Sequence, residues 1–451
     1  MKVPTAPHRN PSTSAAPNES FWLDAIETEA LQPPLEGNRE ADVVLVGGGY
    51  TNLVAAYCLK REQPDLEIAL LESSYVGFGA SGRNAGMVLQ DPHLDRIRRH
   101  GERAVRFTYD ETVRTVDWIE RVAREEGFDC ELEKTGYLEI AFHPAHVRRI
   151  EQLAARARKA GIDLRLLSRD EIQERIRSER FIGALHHPGA AMLHPGKYVT
   201  GLKRAVLRAG VRVYEETRVS ELDDAQPGGD VRVVTERGSL RARKLVLGLN
   251  AYLPAARLGV IRDRAVSLLS FIILTEPLSD GLWKELRWRG REGYSDLRRV
   301  HNYVRPSRMR VLFGGRVLYH FGVDSPAQSE RIYSRLQREM VATFPCLEGV
   351  TLTHRWSGPV ALTWRRTPII GRTGKANNIF YALGYSGMGV SLGTLSGRVL
   401  ANWIVGQESR WKELLYLERP GWPLPPEPLR FLGFQGSYYA MRLRDWLDRL
   451  S

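Results

Sequence analysis

Val43–Glu72 reads VVLVGGGYTNLVAAYCLKREQPDLEIALLE, and its reading decides the fold. An apolar run, Val43 to Val46, enters three glycines. Helical spacing follows through Leu53, Ala56, Tyr57 and Leu59, and a second apolar run, Ile68 to Leu71, ends on Glu72. Strand, glycine turn, helix, strand and acid is the order that a dinucleotide-binding βαβ unit requires. Gly47 permits the tight turn out of the strand, and Gly49 lets the backbone approach a pyrophosphate. The helix N-terminus then offers free N–H groups to that anion. Glu72 stands where a carboxylate accepts hydrogen bonds from ribose hydroxyls. One position departs from the pattern: the third glycine site is Asn52. That glycine ordinarily lets the helix lie close to the strand, so Asn costs room, although Asn tolerates unusual dihedrals and can cap.

The chain has 451 residues, enough for a large core and two domains. With 43% hydrophobic and 26% charged residues it has the composition of a globular protein, and no apolar run reaches the length of a membrane span. Met1 to Ser20 is rich in Pro, Ser, Thr and Asn without an apolar centre, which excludes a secretory signal and predicts a flexible leader over 1–38. Cys58, Cys130 and Cys346 are scattered and odd in number, arguing against a disulfide framework and for a reducing cytoplasm. The net charge is +12, mostly from dispersed arginines, and no nucleic-acid module is recognisable. A solvated basic surface, a field that draws in an acidic substrate, and peripheral contact with an acidic membrane surface all stay open.

Ser73 to Val88, SSYVGFGASGRNAGMV, follows the second strand as a glycine-rich loop. Ser81, Arg83 and its backbone N–H groups suit anionic oxygens beside the pyrophosphate. Helices are predicted over Gly101–Gly127, Pro144–Ala160, Ser168–Ile176 (with a Ser168/Glu171 capping box) and Pro195–Ala209. Strands alternate with them, and the region from Val260 to Leu347 is strand-rich. Near the end, Ile379 to Leu383 breaks into Gly384, Gly387 and Gly389 before a helix of small residues. This second strand–glycine–helix junction offers another set of helix N-terminal amides. A final amphipathic helix is expected near Tyr438 to Leu450. The pattern predicts an α/β chain: a Rossmann-like nucleotide-binding domain over 39–93, 185–255 and 349–406 interleaves with an α+β substrate domain over 94–184 and 256–348. The latter is built on a large mixed or antiparallel sheet, and a C-terminal tail occupies 407–451.

Taken in order, GGGYT…LLE, GFGASGRNAG, LHP, LVLGLNAYL, LTEPL, RWSGPVALTWRRTPIIG and GYSGMGV resemble the signature series of FAD-dependent oxidoreductases of the D-amino-acid oxidase family. The nearest branch is similar to the γ-glutamylputrescine oxidoreductases, with glycine oxidase and sarcosine oxidase as more distant relatives. The resemblance runs from about Phe21 to Leu432. It implies FAD with adenosine at Glu72, adenine on the backbone of Val219, and pyrophosphate between Gly47, Gly49, Tyr50 and Thr51 on one side and Ser81 to Arg83 on the other. It implies that Arg83, Asn84 and Met87 reach toward the isoalloxazine ring, and that Gly387, Met388 and Gly389 point amides at its pyrimidine edge. Many relatives carry His where Met388 stands. Gly358 stands at the position where sarcosine oxidase-like members attach flavin through Cys, so the resemblance implies non-covalent FAD.

The implied reaction is oxidation of the C–N bond of a primary or secondary amine or amino acid. A hydride passes to flavin N5, the imine hydrolyses to a carbonyl, and oxygen or another acceptor takes the electrons. Arg305 matches the place of carboxylate-binding arginines, with Tyr303 as companion for an anionic amine substrate. Arg305 as one surface arginine of a basic stretch is the competing reading. His194 either lines the active site or caps the helix begun by Pro195. Trp356 and Trp364 form either an aromatic wall or core. Oxidation of a hydroxy-acid C–H and non-catalytic flavin binding are the alternative functions.

Overall fold

The computed structural model describes residues 19–26, 29–90, 92–225, 229–252, 261, 263–319, 326–417 and 423–448. In chain order, α1 (Phe21–Asp24) precedes β1 (Gly37–Val46), α2 (Tyr50–Glu62), β2 (Ile68–Leu71) and β3 (Met87–Val88). Then come α3 (Ile97–Glu125), β4 (Tyr137–Ala141), α4 (Pro144–Lys159), β5 (Arg165–Leu167), α5 (Arg169–Arg175), β6 (Gly183–His187) and β7 (Ala191–Met192). The middle holds α6 (Pro195–Arg208), β8 (Arg212–Tyr214), β9 (Val219–Asp223), β10 (Val231–Thr235), β11 (Gly238–Leu247) and β12 (Ala265–Thr275). Next are α7 (Asp280–Leu286), β13 (Gly293–Asp296), β14 (Asn302–Ser307), β15 (Arg310–Tyr319), α8 (Pro326–Thr343) and β16 (Leu352–Thr363). Finally β17 (Ile369–Thr373), β18 (Ile379–Leu383), α9 (Gly389–Ile404) and α10 (Leu429–Leu447) complete the chain.

The first sheet runs β17-β18-β11-β1-β2-β8, and β9 and β10 continue from β11 as a meander. Strands β18, β11, β1, β2 and β8 are parallel. Both faces of β1 are covered, so its inner end is an unbroken apolar run. Val43 and Leu45 join the helices α2, α6 and α9 in one core, while Val44 and Val46 face β10 and β11 side chains in another. The chain leaves β1 toward β2 on one side and reaches β11 on the other. That reversal opens a crevice at the carboxyl ends of the strands, where ligands bind in such sheets.

The second sheet runs β16-β12-β15-β14-β13-β4-β6-β5 and is mixed, antiparallel except where β13 meets β4. Along β12, Leu269, Phe271 and Ile273 pack into the core beneath the helices. Ile272 and Leu274 point the other way, toward Trp22, Trp356 and Ala85. The predicted α/β architecture of a Rossmann-like unit with a second, mixed-sheet unit is the one observed.

Strand pairing revises several expected boundaries. β16 lies after the boundary at 349, yet it pairs along its length with β12 and so belongs to the second sheet. The boundary at 184/185 cuts through β6. β8 and β9 follow closely in the chain but do not continue one another, since β8 pairs with β2 while β9 pairs with β10. Of the leader expected over 1–38, residues 1–18 and 27–28 lie outside the described residues. The described part is docked: Trp22 is fully buried and donates Nε1–H to the Asn84 carbonyl at 2.7 Å, and Leu35 is buried. Burial of an aromatic and a leucine outweighs the ordering cost that a polar leader would not recover. The last helix begins earlier than expected, at Leu429. Among the described residues no helix is long and apolar enough to cross a membrane.

Candidate functional site

Two helix N-termini open onto one cavity. At the first, Gly47 (φ +106°) turns the chain out of β1, and Gly49 is the N-cap of α2 without a side-chain cap. At the second, Met388 is the equally uncapped N-cap of α9. Neither N-cap residue supplies a capping side chain, although Tyr50 N–H at the start of α2 donates to Ser81 Oγ at 3.1 Å, and both ends carry the positive pole of a helix dipole. The cavity is lined by Gly47 to Thr51, Glu72, Ser73, Phe78 to Ser81, Asn84, Thr217 to Val219, Gly248 to Tyr252, Pro359 to Ala361, Tyr385 to Gly387 and Gly389.

The glycine turn has no spare room for side chains. A Cβ on Gly49 would meet Ser81 Oγ at 3.0 Å, and one on Gly48 would meet the Glu72 side chain at 3.1 Å. Glu72 closes β2 and is clamped from three sides. Its Oε2 accepts from Gly48 N at 2.6 Å, and its Oε1 accepts from Ser74 N at 3.0 Å and Ser73 Oγ at 3.1 Å. Burial raises its pKa against these hydrogen bonds. A carboxylate with fixed geometry at the end of the second strand suits ribose hydroxyls, and the two amide-lined ends suit a pyrophosphate and a polarised carbonyl.

Asn52 takes the third glycine site without opening the turn. Its Nδ2 donates to the carbonyls of Val46 at 2.8 Å and Gly47 at 2.9 Å. The room it needs comes from across the sheet, because a Cβ on Gly248 would lie 2.5 Å from Asn52 Oδ1. Tyr50 is buried under the glycine-rich loop, where its hydroxyl donates to Ser81 O at 2.6 Å and accepts from Asn84 Nδ2 at 3.2 Å. Thr51 Oγ1 lies 2.7 Å from Tyr385 Oη and ties α2 to the junction before α9.

The structure brings Gly47, Gly49, Tyr50, Thr51, Glu72, Ser81, Asn84, Val219, Gly387 and Gly389 to this cavity. Arg83, Met87, Tyr303, Arg305, Gly358 and Met388 do not line it. Arg83 is held against the second sheet instead: Nε donates to Phe78 O at 2.9 Å, Nη1 to Ser357 O at 3.3 Å, and its stem covers Gly358. Met87 pairs with Met192 across β3 and β7.

Arg305 is not a surface arginine. It is 7% exposed, and its Nη1 donates to the carbonyls of Leu193 (2.8 Å), Gly86 (3.0 Å) and Ala85 (3.2 Å), with Trp22 over the guanidinium. Burial lowers its pKa to about 10, which leaves it charged at neutral pH. Tyr303, two residues earlier on β14, has its hydroxyl 2.9 Å from Ser270 Oγ. His194 is the N-cap of α6, its Nδ1 accepting from Lys197 N at 3.2 Å. Trp356 is core, donating Nε1–H to Arg83 O at 2.8 Å. Trp364 is neither core nor wall, at 72% exposure.

Thr217, Asn250, Tyr252, Pro359 and Tyr385 line the cavity without having been singled out as binding residues. Asn250 had a readable signal: it ends the apolar run of β11, where parallel strands present ligand-binding groups. Its Oδ1 accepts from Gly384 N at 2.9 Å and so braces the second glycine junction.

Residues 42–403 match the model of the FAD dependent oxidoreductase family. The chain is 31% identical over 441 residues to gamma-glutamylputrescine oxidoreductase of Escherichia coli (strain K12), covering 94% of this chain and 98% of that protein. Glycine oxidase of Bacillus licheniformis is 23% identical over 386 residues, covering 84% and 98%. Among solved structures, glycine oxidase from Geobacillus kaustophilus superposes with a TM-score of 0.68 at 20% identity, covering 81% of this chain and 95% of that one. This last likeness is one of fold.

Proposed function

The chain belongs to the FAD-dependent oxidoreductase family and is an enzyme of that kind. From that premise we propose that it oxidises the C–N bond of a primary or secondary amine that also carries an anionic group. The observation that carries the cofactor assignment is the meeting of two helix N-termini, whose N-cap residues Gly49 and Met388 have no capping side chain, and the clamped Glu72 around one cavity. Glu72 would hold the ribose of FAD, the Gly47–Thr51 turn and Ser81 its pyrophosphate, the Val219 backbone its adenine, and Gly387 to Gly389 the pyrimidine edge. Gly358, at the position where sarcosine oxidase-like members carry the Cys that attaches flavin, has no side chain to form such a bond, which supports non-covalent binding.

FAD, when bound, supplies the acceptor for a hydride leaving the carbon beside a neutral amine. The chain's own part is to bind, orient and keep water out. The amides at the start of α9 favour negative charge at the end of the cavity they face, in a site already organised before reaction. Pro359, Val360 and Ala361 of β16 close one wall with apolar surface. Arg305 supports an anionic substrate. It is a buried cation that donates to main-chain carbonyls, feels the charges of Glu133 and Glu131 and shares a strand face with Tyr303, although neither residue lines the cavity described above. A substrate carboxylate reaching it would form a charge-assisted hydrogen bond and fix the amine's orientation. The similarity to gamma-glutamylputrescine oxidoreductase over nearly the whole length supports an amine as donor.

The test is the visible spectrum of the purified protein, repeated anaerobically with paired amines that differ only in a carboxylate. Flavin bands that bleach faster with the carboxylated member are expected. Bleaching by a hydroxy acid and by no amine would overturn the proposed bond. In Arg305→Lys, KM for the carboxylated amine should rise by about 10- to 100-fold, as one charge-assisted hydrogen bond is lost. KM for its neutral partner should change little, and an equal rise for both would remove Arg305 from substrate recognition.

A further inference from the structure

Helix α10 is apolar on two opposite faces. Inward, Phe431 and Phe434 pack on Tyr319 of β15, with ring centroids at 5.4 and 5.5 Å, over a cluster that includes Val266, Leu268 and Val360. Outward, Leu429, Leu432, Tyr439, Leu443, Trp446 and Leu447 are each about half exposed or more, between 48% and 61%. With 3.6 residues per turn these six fall within an arc of about 100°. Among the described residues ten large hydrophobic side chains are exposed, and these are six of them. An apolar stripe of this length on a protein surface marks a binding face.

The charges around the stripe are one-sided. The helix's one acid, Asp445, and the Asp448 that follows its last turn are both drawn inward to Arg299. Exposed Arg442 and Arg444 lie just beyond its two edges. Trp364, at 72% exposure, stands in the turn after β16, and Arg366 of that turn contacts Met441 Sδ on the inward side of α10 at 3.3 Å.

We propose that α10 docks the protein on an anionic membrane surface, its stripe seated at the boundary of headgroups and acyl chains. Leucines flanked by arginines, with Trp and Tyr whose rings are apolar and whose tips are polar, are what an interfacial helix presents to lipid. A second copy of this chain would bring the same arginines and no acid on that face, whereas anionic headgroups complement them. The net charge of +12 adds attraction of the same sign. Val360 belongs both to the cavity wall and to the cluster under Phe431 and Phe434, so docking holds the cavity one strand away from the lipid.

Flotation of the purified full chain with vesicles tests this. Binding is expected to vesicles with about a third phosphatidylglycerol and not to pure phosphatidylcholine, and to weaken as salt screens the arginines. The triple variant Leu432→Ser, Leu443→Ser, Trp446→Ser should lose flotation while keeping its melting transition. The pair Arg442→Gln, Arg444→Gln leaves the stripe intact and should weaken binding about tenfold or more. Absence of flotation with anionic vesicles overturns the proposal. So does flotation that survives the triple variant, or an unchanged affinity in the arginine pair. A homodimer in sedimentation that the triple substitution dissociates would assign the stripe to a second copy instead.

Discussion

Asn52 and Gly248 work as a matched pair. The carboxamide satisfies two buried carbonyls at the end of β1, and the missing side chain opposite makes the space for it. Gly248→Ala should therefore cost about 1–3 kcal/mol through overpacking and weaken FAD binding. In an Asn52→Gly background the same substitution should cost at least ~1 kcal/mol less, because the clash is gone. Thermal unfolding and FAD titration of the four proteins measure this coupling, and additive effects would show that the two residues act independently. Asn52 was legible in the sequence as a departure from the glycine pattern, and its cost was legible too. Its compensation was not, since only the parallel pairing of β1 with β11 brings Gly248 beside it. Arg305 hid in the same way. Next to Arg308 and Arg310 it looks solvated, but β14 is buried on both faces from Val304 to Ser307, whereas Arg308 stands in the turn after the strand and stays exposed.

Helices α2 and α9 cross so closely that glycine is required at the contact. A Cβ on Gly397 would lie 2.5 Å from Thr51 O and 2.7 Å from Val54 Cβ. Both helices start at the cavity, so separating them moves both amide-lined ends. Gly397→Val should reduce FAD affinity by at least about tenfold and destabilise by about 1–3 kcal/mol. Unchanged FAD affinity would mean that the two N-termini are positioned by their strands alone. The small residues of α9, the capping box of Ser168 and Glu171 and the His194 cap were all readable, because each depends on neighbours within a turn or two. The placement of β16 was not. Its alternation fits either sheet, and only its pairing with β12 assigns it.

Across the molecule, burial leaves the protein sensitive to acid. Burial holds His194 and His186 at about 4, below the ordinary 6.5. Their folded pKa values are depressed, so the unfolded chain binds more protons between these values. The stability they contribute is full above pH 6.5 and is lost as pH falls through 4. The melting temperature should fall steadily over that window, and His194→Asn, which keeps a capping acceptor, should flatten the fall. A flat profile in the unsubstituted protein would show that these rings accept protons without strain. The interleaving of two units was visible at this scale from the return of strand–glycine–helix signals late in the chain, whereas the outward stripe of α10 read only as an amphipathic helix.

The cavity that joins these units has a bearing on how the protein is made. Its walls come from segments as early as Val46 and as late as Gly389. A ribosome releases the first strand–glycine–helix junction long before the second, so until Gly389 emerges the nascent chain carries only part of the cavity. The dinucleotide can be enclosed on both sides only after Gly389 has emerged, so its loading follows synthesis of both junctions.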